Sequence, residues 1–393
     1  MLGKANSSLF TPIRINHTVI PNRFMRSATW EGLSDDTTGM PSARLTRMIS
    51  KLADGEVGLI VPGYVYPIFH GKAAYRQTGM THLWHAKAWE TTISQIHEKG
   101  SKIMFQVGHG GTKCISEMIH GFEPVGCSPL NGKGREMTNE EIEETIESFV
   151  HAAKLLQKVG SDGIQLHGAH GYLLSAFMSP AMNHRKDKWG GSFDNRLRIV
   201  REISDEIRKV VGPDFLVSMK MNSCDFVDGG ITPELCAQYI NNLPKIDLFE
   251  LSGGLSIETP VPRAFNIRSK VDENFIRKNC KKEDVEEILK HARTIYRGVE
   301  YFEGYHVPAA RIIRKLAPTA KLAVVGGQRN FAAMQSIVDD GTVDLISISR
   351  PFLRDPTLVK DLRTGKIDEI GCNSCGLCTI NRKYGIFCQN NSR

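Results

Sequence analysis

The stretch NRLRIVREISDEIRKVVGPDFLVSM, residues 195 to 219, contains a helix, its stop and the strand that follows. Ile199, Ile203, Ile207 and Val210 recur at helical spacing and predict one apolar face. Gly212-Pro213 ends that helix, because proline has no N–H to continue the ladder. Phe215–Met219 then reads as a buried strand. A helix that stops and feeds directly into an apolar strand is the crossover unit of a parallel sheet.

The same unit recurs on either side. Thr138 with Glu141 three residues later stands in capping-box register. Ile142, Ile146, Phe149, Ala153 and Leu156 follow as one apolar stripe, and Gly160 closes the helix. Short β-rich runs fall at Asn22–Arg26, Val57–Val61, Lys102–Gln106, Gly163–Leu166, Phe215–Met219, Leu248–Leu251, Leu322–Val325 and Leu345–Ile348. Helical segments separate most of them, and the G-x-G-x-x-G fingerprint of an open dinucleotide-binding sheet is absent. Eight such units predict an α/β fold closed as a (β/α)8 TIM barrel. The reading is one domain over residues 1–393, with an insertion at about 255–304 that forms a loop and an extra helix over the barrel mouth.

Composition is that of an ordinary globular chain: 393 residues, 41% apolar and 24% charged. The opening MLGKANSSLF has no signal-peptide apolar run, and Pro62, Gly63 and Pro67 break the most apolar stretch. A cytoplasmic protein is expected, with neither membrane nor nucleic acid as partner. Fifty basic against 43 acidic residues give a net charge of +7, mixed as in Lys281-Lys282-Glu283-Asp284 and therefore a solvated surface. Self-association into a homo-oligomer stays open.

The chemistry concentrates just past the fourth run. His167, His170 and Tyr172 follow Leu166 at once, and residues beyond a barrel strand's C-terminal end face the active site. Three residues apart, the two histidines would share one helical turn and aim both rings at one point. Two ring N–H donors there suit a developing oxyanion, and Tyr172 suits a proton donor. A single histidine is more often structural, but two with a tyrosine within six residues favour a site. The pair also reads as metal ligands of a barrel hydrolase, although no further His or carboxylate set at the other strand ends completes one.

Residues 163–198, GIQLHGAHGYLLSAFMSPAMNHRKDKWGGSFDNRLR, carry a longer pattern: His167, His170, Gly171, Tyr172, Leu173, Asn183, Arg185, Asp187, Trp189, Gly190, Gly191, Ser192, Asn195 and Arg196. This resembles the old yellow enzyme family of FMN-dependent NAD(P)H:flavin oxidoreductases, which includes ene-reductases and the barrel of 2,4-dienoyl-CoA reductase. The resemblance extends from LFTPIRI near the start to SRPFLRDP near the end. It implies FMN as cofactor, NADH or NADPH as co-substrate and a small-molecule electron acceptor, reduced in ping-pong order. Ser27, Ala28 and Thr29 would lie against the flavin ring, Gly63 would let the ring approach, and Gln106 would bond its pyrimidine part. His167 and His170 would anchor substrate, with His167 also touching flavin, and Tyr172 would give the proton. Lys220 stands where the family has Arg, near flavin N1.

Gly326 and Gly327 after the seventh run, with Ser349 and Arg350 after the eighth, suit a phosphate by close backbone approach and a charged fork. Trp30 departs from the small polar residue usual at its place, and QVGHGG lacks the Arg common after the family's H-A-G. Trp30 reads equally as a core aromatic or as a plug in the substrate space. In the second case the barrel would be a flavin- or metal-binding sensor with reduced catalysis. Of nine cysteines, Cys114, Cys127, Cys224, Cys236 and Cys280 read as small buried apolar residues. Cys372, Cys375, Cys378 and Cys388 crowd together and suit a 4Fe–4S cluster, zinc or free thiols.

Overall fold

A computed structural model of the chain describes residues 4–255, 273–279, 282–295, 302–374, 378 and 385–388. Eight parallel strands close into a barrel: β1 (Phe24–Arg26), β2 (Leu59–Ile60), β3 (Lys102–Val107), β4 (Gly163–Gly168), β5 (Leu216–Asn222), β6 (Leu248–Ser252), β7 (Leu322–Val325) and β8 (Leu345–Ile348). Each lies within two residues of its expected run except β5, which continues three residues past Met219, and β8 pairs with β1 to close the ring. Between and after the strands run α1 (Ala43–Asp54), α2 (Glu90–Glu98), α3 (Asn139–Lys158), α4 (Phe193–Val211), α5 (Pro233–Asn241), α6 (Val307–Leu316), α7 (Phe331–Asp339) and α8 (Leu358–Arg363).

The helix ends follow their sequence signals. Thr138 accepts from the Glu141 amide while Glu141 accepts from the Thr138 amide, the reciprocal capping box expected. In α4, Ile199, Ile203 and Ile207 are buried as read, but Val210 is exposed and Val211 takes its place against the barrel. The phase slips by one position in the last turn, where Gly212 at φ +77° already turns the chain away.

Side-chain alternation stratifies the barrel interior. Met25, Leu59, Val61, Met104, Leu216, Leu248, Ala323 and Leu345 form a dry lower layer, sealed from below by Ile13, Ile15 and Ile20 of an N-terminal hairpin. The next layer toward the C-terminal ends is polar on five of the strands, at Gln106 (β3), Gln165 (β4), Ser218 (β5), Glu250 (β6) and Ser347 (β8), all buried. One more step of two reaches the C-terminal rim. The insertion at about 255–304 holds two short helices among its described residues, Glu273–Asn279 and Val285–Ile295, rather than the one expected. Ion pairs Arg277–Glu286 (2.8 Å) and Arg293–Glu273 (2.5 Å) join them.

Candidate active site at the barrel mouth

Period-two alternation delivers the rim residues. Counting up from Gln165, Ser218 and Glu250 gives His167, Lys220 and Ser252, and up from Met25 gives Ser27. Strand register places His167 opposite Lys220 and Lys220 opposite Glu250. The Lys220 side chain, 3% exposed, donates from its ammonium to Ser27 Oγ at 2.8 Å and pairs with Glu250 at 3.3 Å. Burial pushes the Lys220 pKa down while Glu250 pulls it back up. Glu250 also accepts from Ser347 Oγ (2.7 Å) and Gln165 Nε2 (3.0 Å), and Gln165 Oε1 accepts from Gln106 Nε2 (2.7 Å). A continuous polar layer therefore underlies the rim, with its charges matched inside.

Above it the three expected catalytic side chains converge. The His167 and Tyr172 rings are 4.7 Å apart, and those of His167 and His170 are 5.5 Å apart and nearly perpendicular. The path between them is not the helical turn read from sequence. His167 still belongs to β4, and His170 sits in the left-handed region at φ +63°. Asn222 Oδ1 holds it there by accepting from the His170 amide at 3.0 Å, while Lys113 Nζ donates to the His170 carbonyl. Lys113 also donates to the Leu255 carbonyl (2.9 Å) and stands 5.2 Å over the Tyr172 ring. Tyr64 OH lies 3.2 Å from Tyr172 OH.

Burial holds both imidazoles neutral, with pKa values well below the usual histidine range, and the nearby cations Lys220 and Lys113 add to the shift. His167 Nδ1 is buried and has no hydrogen-bond partner among the described residues, which leaves an open hydrogen-bonding position on this ring. Tyr64, Lys113, Asn222 and Ser252 were missed in the sequence. Asn222 and Ser252 were readable by extending the alternation of β5 and β6, whereas Tyr64 and Lys113 lie on loops without periodicity.

The other expected cofactor residues share the same rim. The Ser27 amide donates to the Ile348 carbonyl at 2.8 Å, and Thr29 and Ser349 hydroxyls are hydrogen-bonded. That brings Ser27, Ala28, Thr29, Ser349 and Arg350 together at the β1–β8 seam. Gly326, at φ +125°, could not carry a side chain, since a Cβ would lie 2.6 Å from the Tyr305 ring. Burial raises the Tyr305 pKa, and the positive charges of Arg350 and Arg329 offset part of that rise. Gly63 is required by something other than a ligand: a Cβ there would meet Glu31 Oε2 at 2.2 Å. Buried Glu31 accepts from the Gly63 amide (3.0 Å) and from Arg26 (2.7 Å), bracing the β1 loop against β2.

Much of the long sequence pattern proves architectural. Asn183 donates to the carbonyls of Phe177 and Trp189, Arg185 pairs with Asp187 (2.5 Å), and Ser192 caps α4 by accepting from the Asn195 amide. Trp30 is half-buried rather than a core residue, and its indole N–H donates to the Tyr75 carbonyl at 3.0 Å. Cys114, Cys127 and Cys236 are buried as expected, Cys224 is half-buried, and Cys280 lies outside the described residues. Of the C-terminal four, Cys372, Cys378 and Cys388 are half-buried and Cys375 is outside the described residues. Among the described residues no group of three His, Cys, Asp or Glu is placed to hold a metal. The Ile386 amide donates to the Glu31 carbonyl at 2.7 Å, which brings residues 385–388 to the β1 loop.

His109 and His306, both buried, have their pKa lowered to about 3, against 6.5 when exposed. Below pH 6.5 the unfolded chain therefore binds protons that the native one refuses. Stability is full above that pH and falls by about 1.4 kcal/mol per unit for each group as the pH drops toward 3. Urea unfolding between pH 7.5 and 5 should show a shallower decline in His306→Gln than in the parent, and equal slopes would contradict a neutral buried His306.

Residues 8–283 match the NADH:flavin oxidoreductase / NADH oxidase family. An NADH oxidase of Thermoanaerobacter brockii is 30% identical over 382 residues, covering 95% of this chain and 53% of the relative. An NADPH dehydrogenase of Bacillus subtilis is 30% identical over 370 residues, covering 91% and 95%. Among solved structures, 2-naphthoyl-CoA reductase superposes with a TM-score of 0.78 at 26% identity, covering 92% of this chain and 53% of that one. Morphinone reductase, with a TM-score of 0.72 and 20% identity over 94% of both chains, shares the fold. The chain thus spans about half of the first and third of these proteins and nearly all of the second. Fold, rim and matches together define a flavin oxidoreductase barrel. The chain belongs to the NADH:flavin oxidoreductase / NADH oxidase family, the old yellow enzyme family that the sequence resembles, whose members use FMN with NADH or NADPH. Among the described residues no helix is long and apolar enough to cross a membrane.

Proposed function

We propose that the protein reduces small α,β-unsaturated carbonyl compounds or similarly electron-poor acceptors at the expense of NADH or NADPH. The observation that carries this reading is the convergence of two neutral imidazoles and a phenol, ring centroids 4.7 and 5.5 Å apart, at a rim where His167 pairs in register with the buried Lys220. FMN would supply the redox chemistry, taking two electrons from the nicotinamide and delivering them to the acceptor in ping-pong order.

The residues fit that group. His167, with its unsatisfied buried Nδ1, and Gln106 would hold the polar edge of the ring. Lys220 would place positive charge beside it, while Gly326, Gly327, Ser349 and Arg350 would receive the phosphate. Ser27, Ala28 and Thr29 would line the ring through a loop that Glu31 braces. His170 and His167 would share the acceptor's oxygen, and neutral rings suit this because each keeps one N–H to donate without protonating the substrate. Tyr172 would hand its phenolic proton to the carbon next to the carbonyl. The names of the naphthoyl-CoA reductase and NADPH dehydrogenase relatives support a reductase of this kind.

Anaerobic mixing of the yellow protein with NADH or NADPH should bleach its visible absorbance, and 2-cyclohexenone should then restore it. Bleaching that no enone reverses would contradict the acceptor class, and a colourless protein would contradict the cofactor.

A further inference from the structure

Ser252 ends β6 and is 1% exposed. Its hydroxyl lies 2.7 Å from His170 Nε2, and among the described residues it has no other polar contact. A hydroxyl carries one proton to give and lone pairs that accept. If the imidazole donated from Nε2, the serine proton would be left buried without an acceptor, at a cost of about 1–3 kcal/mol. If the serine donates, both groups are satisfied. We propose that Ser252 donates to His170 Nε2 and so fixes this imidazole as its Nδ1–H tautomer, making Nδ1 the donor offered to an acceptor's oxygen. The last clause rests on the anchoring role given to His170 above, whereas the tautomer does not.

The backbone on both sides of this contact is fixed. Asn222 fixes the His170 amide and is itself held by Asp225 Oδ1 (2.7 Å) and the Gly254 carbonyl (3.1 Å). Asp225 is fixed in turn by Ser179 Oγ (2.6 Å) and the Ile231 amide (2.9 Å). Lys113 fixes the His170 carbonyl from the other side. The serine is equally set, since its backbone carbonyl accepts from the Ser223 amide (2.8 Å) and hydroxyl (2.7 Å). Burial keeps the ring neutral, so it holds a single proton and the partner at Nε2 decides where that proton sits. Ser252 is on this account a positioning residue, acting on substrate through His170.

The test is the tautomer itself. In holoenzyme labelled with 15N-histidine, long-range proton–nitrogen correlation should show His170 with a protonated Nδ1 and an acceptor-type Nε2, the resonance being assigned by its loss in His170→Gln. In Ser252→Ala the proton should redistribute toward Nε2, and the dissociation constant of a simple phenol should rise about tenfold. Ser252→Thr should restore both. A protonated Nε2 in the parent holoenzyme overturns the proposal, a result that needs no variant to fold, and so does an unchanged tautomer in Ser252→Ala. An Nδ1–H tautomer combined with phenol binding unaffected by His170→Gln would remove the anchoring role and leave that of Ser252 on the tautomer standing.

Discussion

Replacing Tyr172 with phenylalanine is expected to leave reduction by NADH or NADPH unchanged and to slow the return half-reaction with an enone by about 10²- to 10⁴-fold. The phenol is the acidic hydroxyl aligned with the imidazole pair, its ring 4.7 Å from His167. Its oxygen has a hydrogen-bonding neighbour, Tyr64 OH at 3.2 Å, and a cation over the ring face, Lys113 at 5.2 Å. Both stabilise the phenolate left after the proton departs. The nicotinamide half-reaction needs no proton from this group, which is why the two halves should separate. Stopped-flow absorbance reads each one alone. Two unchanged half-reactions would exclude Tyr172 as the donor, and two equally slowed ones would show that it shapes the pocket instead.

Glu250→Ala should destabilise the protein by roughly 3–5 kcal/mol, a large share of a typical domain's stability. The carboxylate is fully buried and accepts from Lys220, Gln165 and Ser347 at once. Its removal strands an ammonium in the barrel interior, and the cost is mainly that of the unpaired charge. Glu250→Gln should cost less, because an amide oxygen still accepts from part of the set. Glu250→Leu combined with Lys220→Met should recover much of the loss, since the pair then leaves together. Urea midpoints at constant m-value measure all three. A Glu250→Ala variant as stable as its parent would mean that water reaches this layer.

The barrel was legible because its signals are local and periodic. A glycine stop after an apolar stripe, as at Val211–Gly212, and an apolar run after it need no knowledge of the rest of the chain. The rim pair His167 and Lys220 was legible because strand ends define it. What escaped came from two sources. His170 takes a left-handed backbone that Asn222, fifty-two residues away, holds in place, so spacing alone suggested a helical turn. Gly63 looked like a place for a ring to approach, but its immediate constraint is the carboxylate of Glu31, a contact between two loops. The patterned run from Asn183 to Arg196 was easy to recognise and contributes chiefly structure, through side chains that bond to nearby backbone. Recognisability and chemistry are therefore separate properties of this segment.

The central claim is that residues from six strand ends hold one molecule, with its ring beside Lys220 and its phosphate beside Arg350. Equilibrium titration of the deflavinated protein, followed by quenching of flavin fluorescence, tests this most directly. Saturation at one FMN per chain is expected, with riboflavin or the Arg350→Met variant binding about ten- to a hundredfold more weakly, as the loss of charge-assisted bonds requires. Riboflavin binding as tightly as FMN, or an Arg350→Met variant with unaltered affinity, would contradict it.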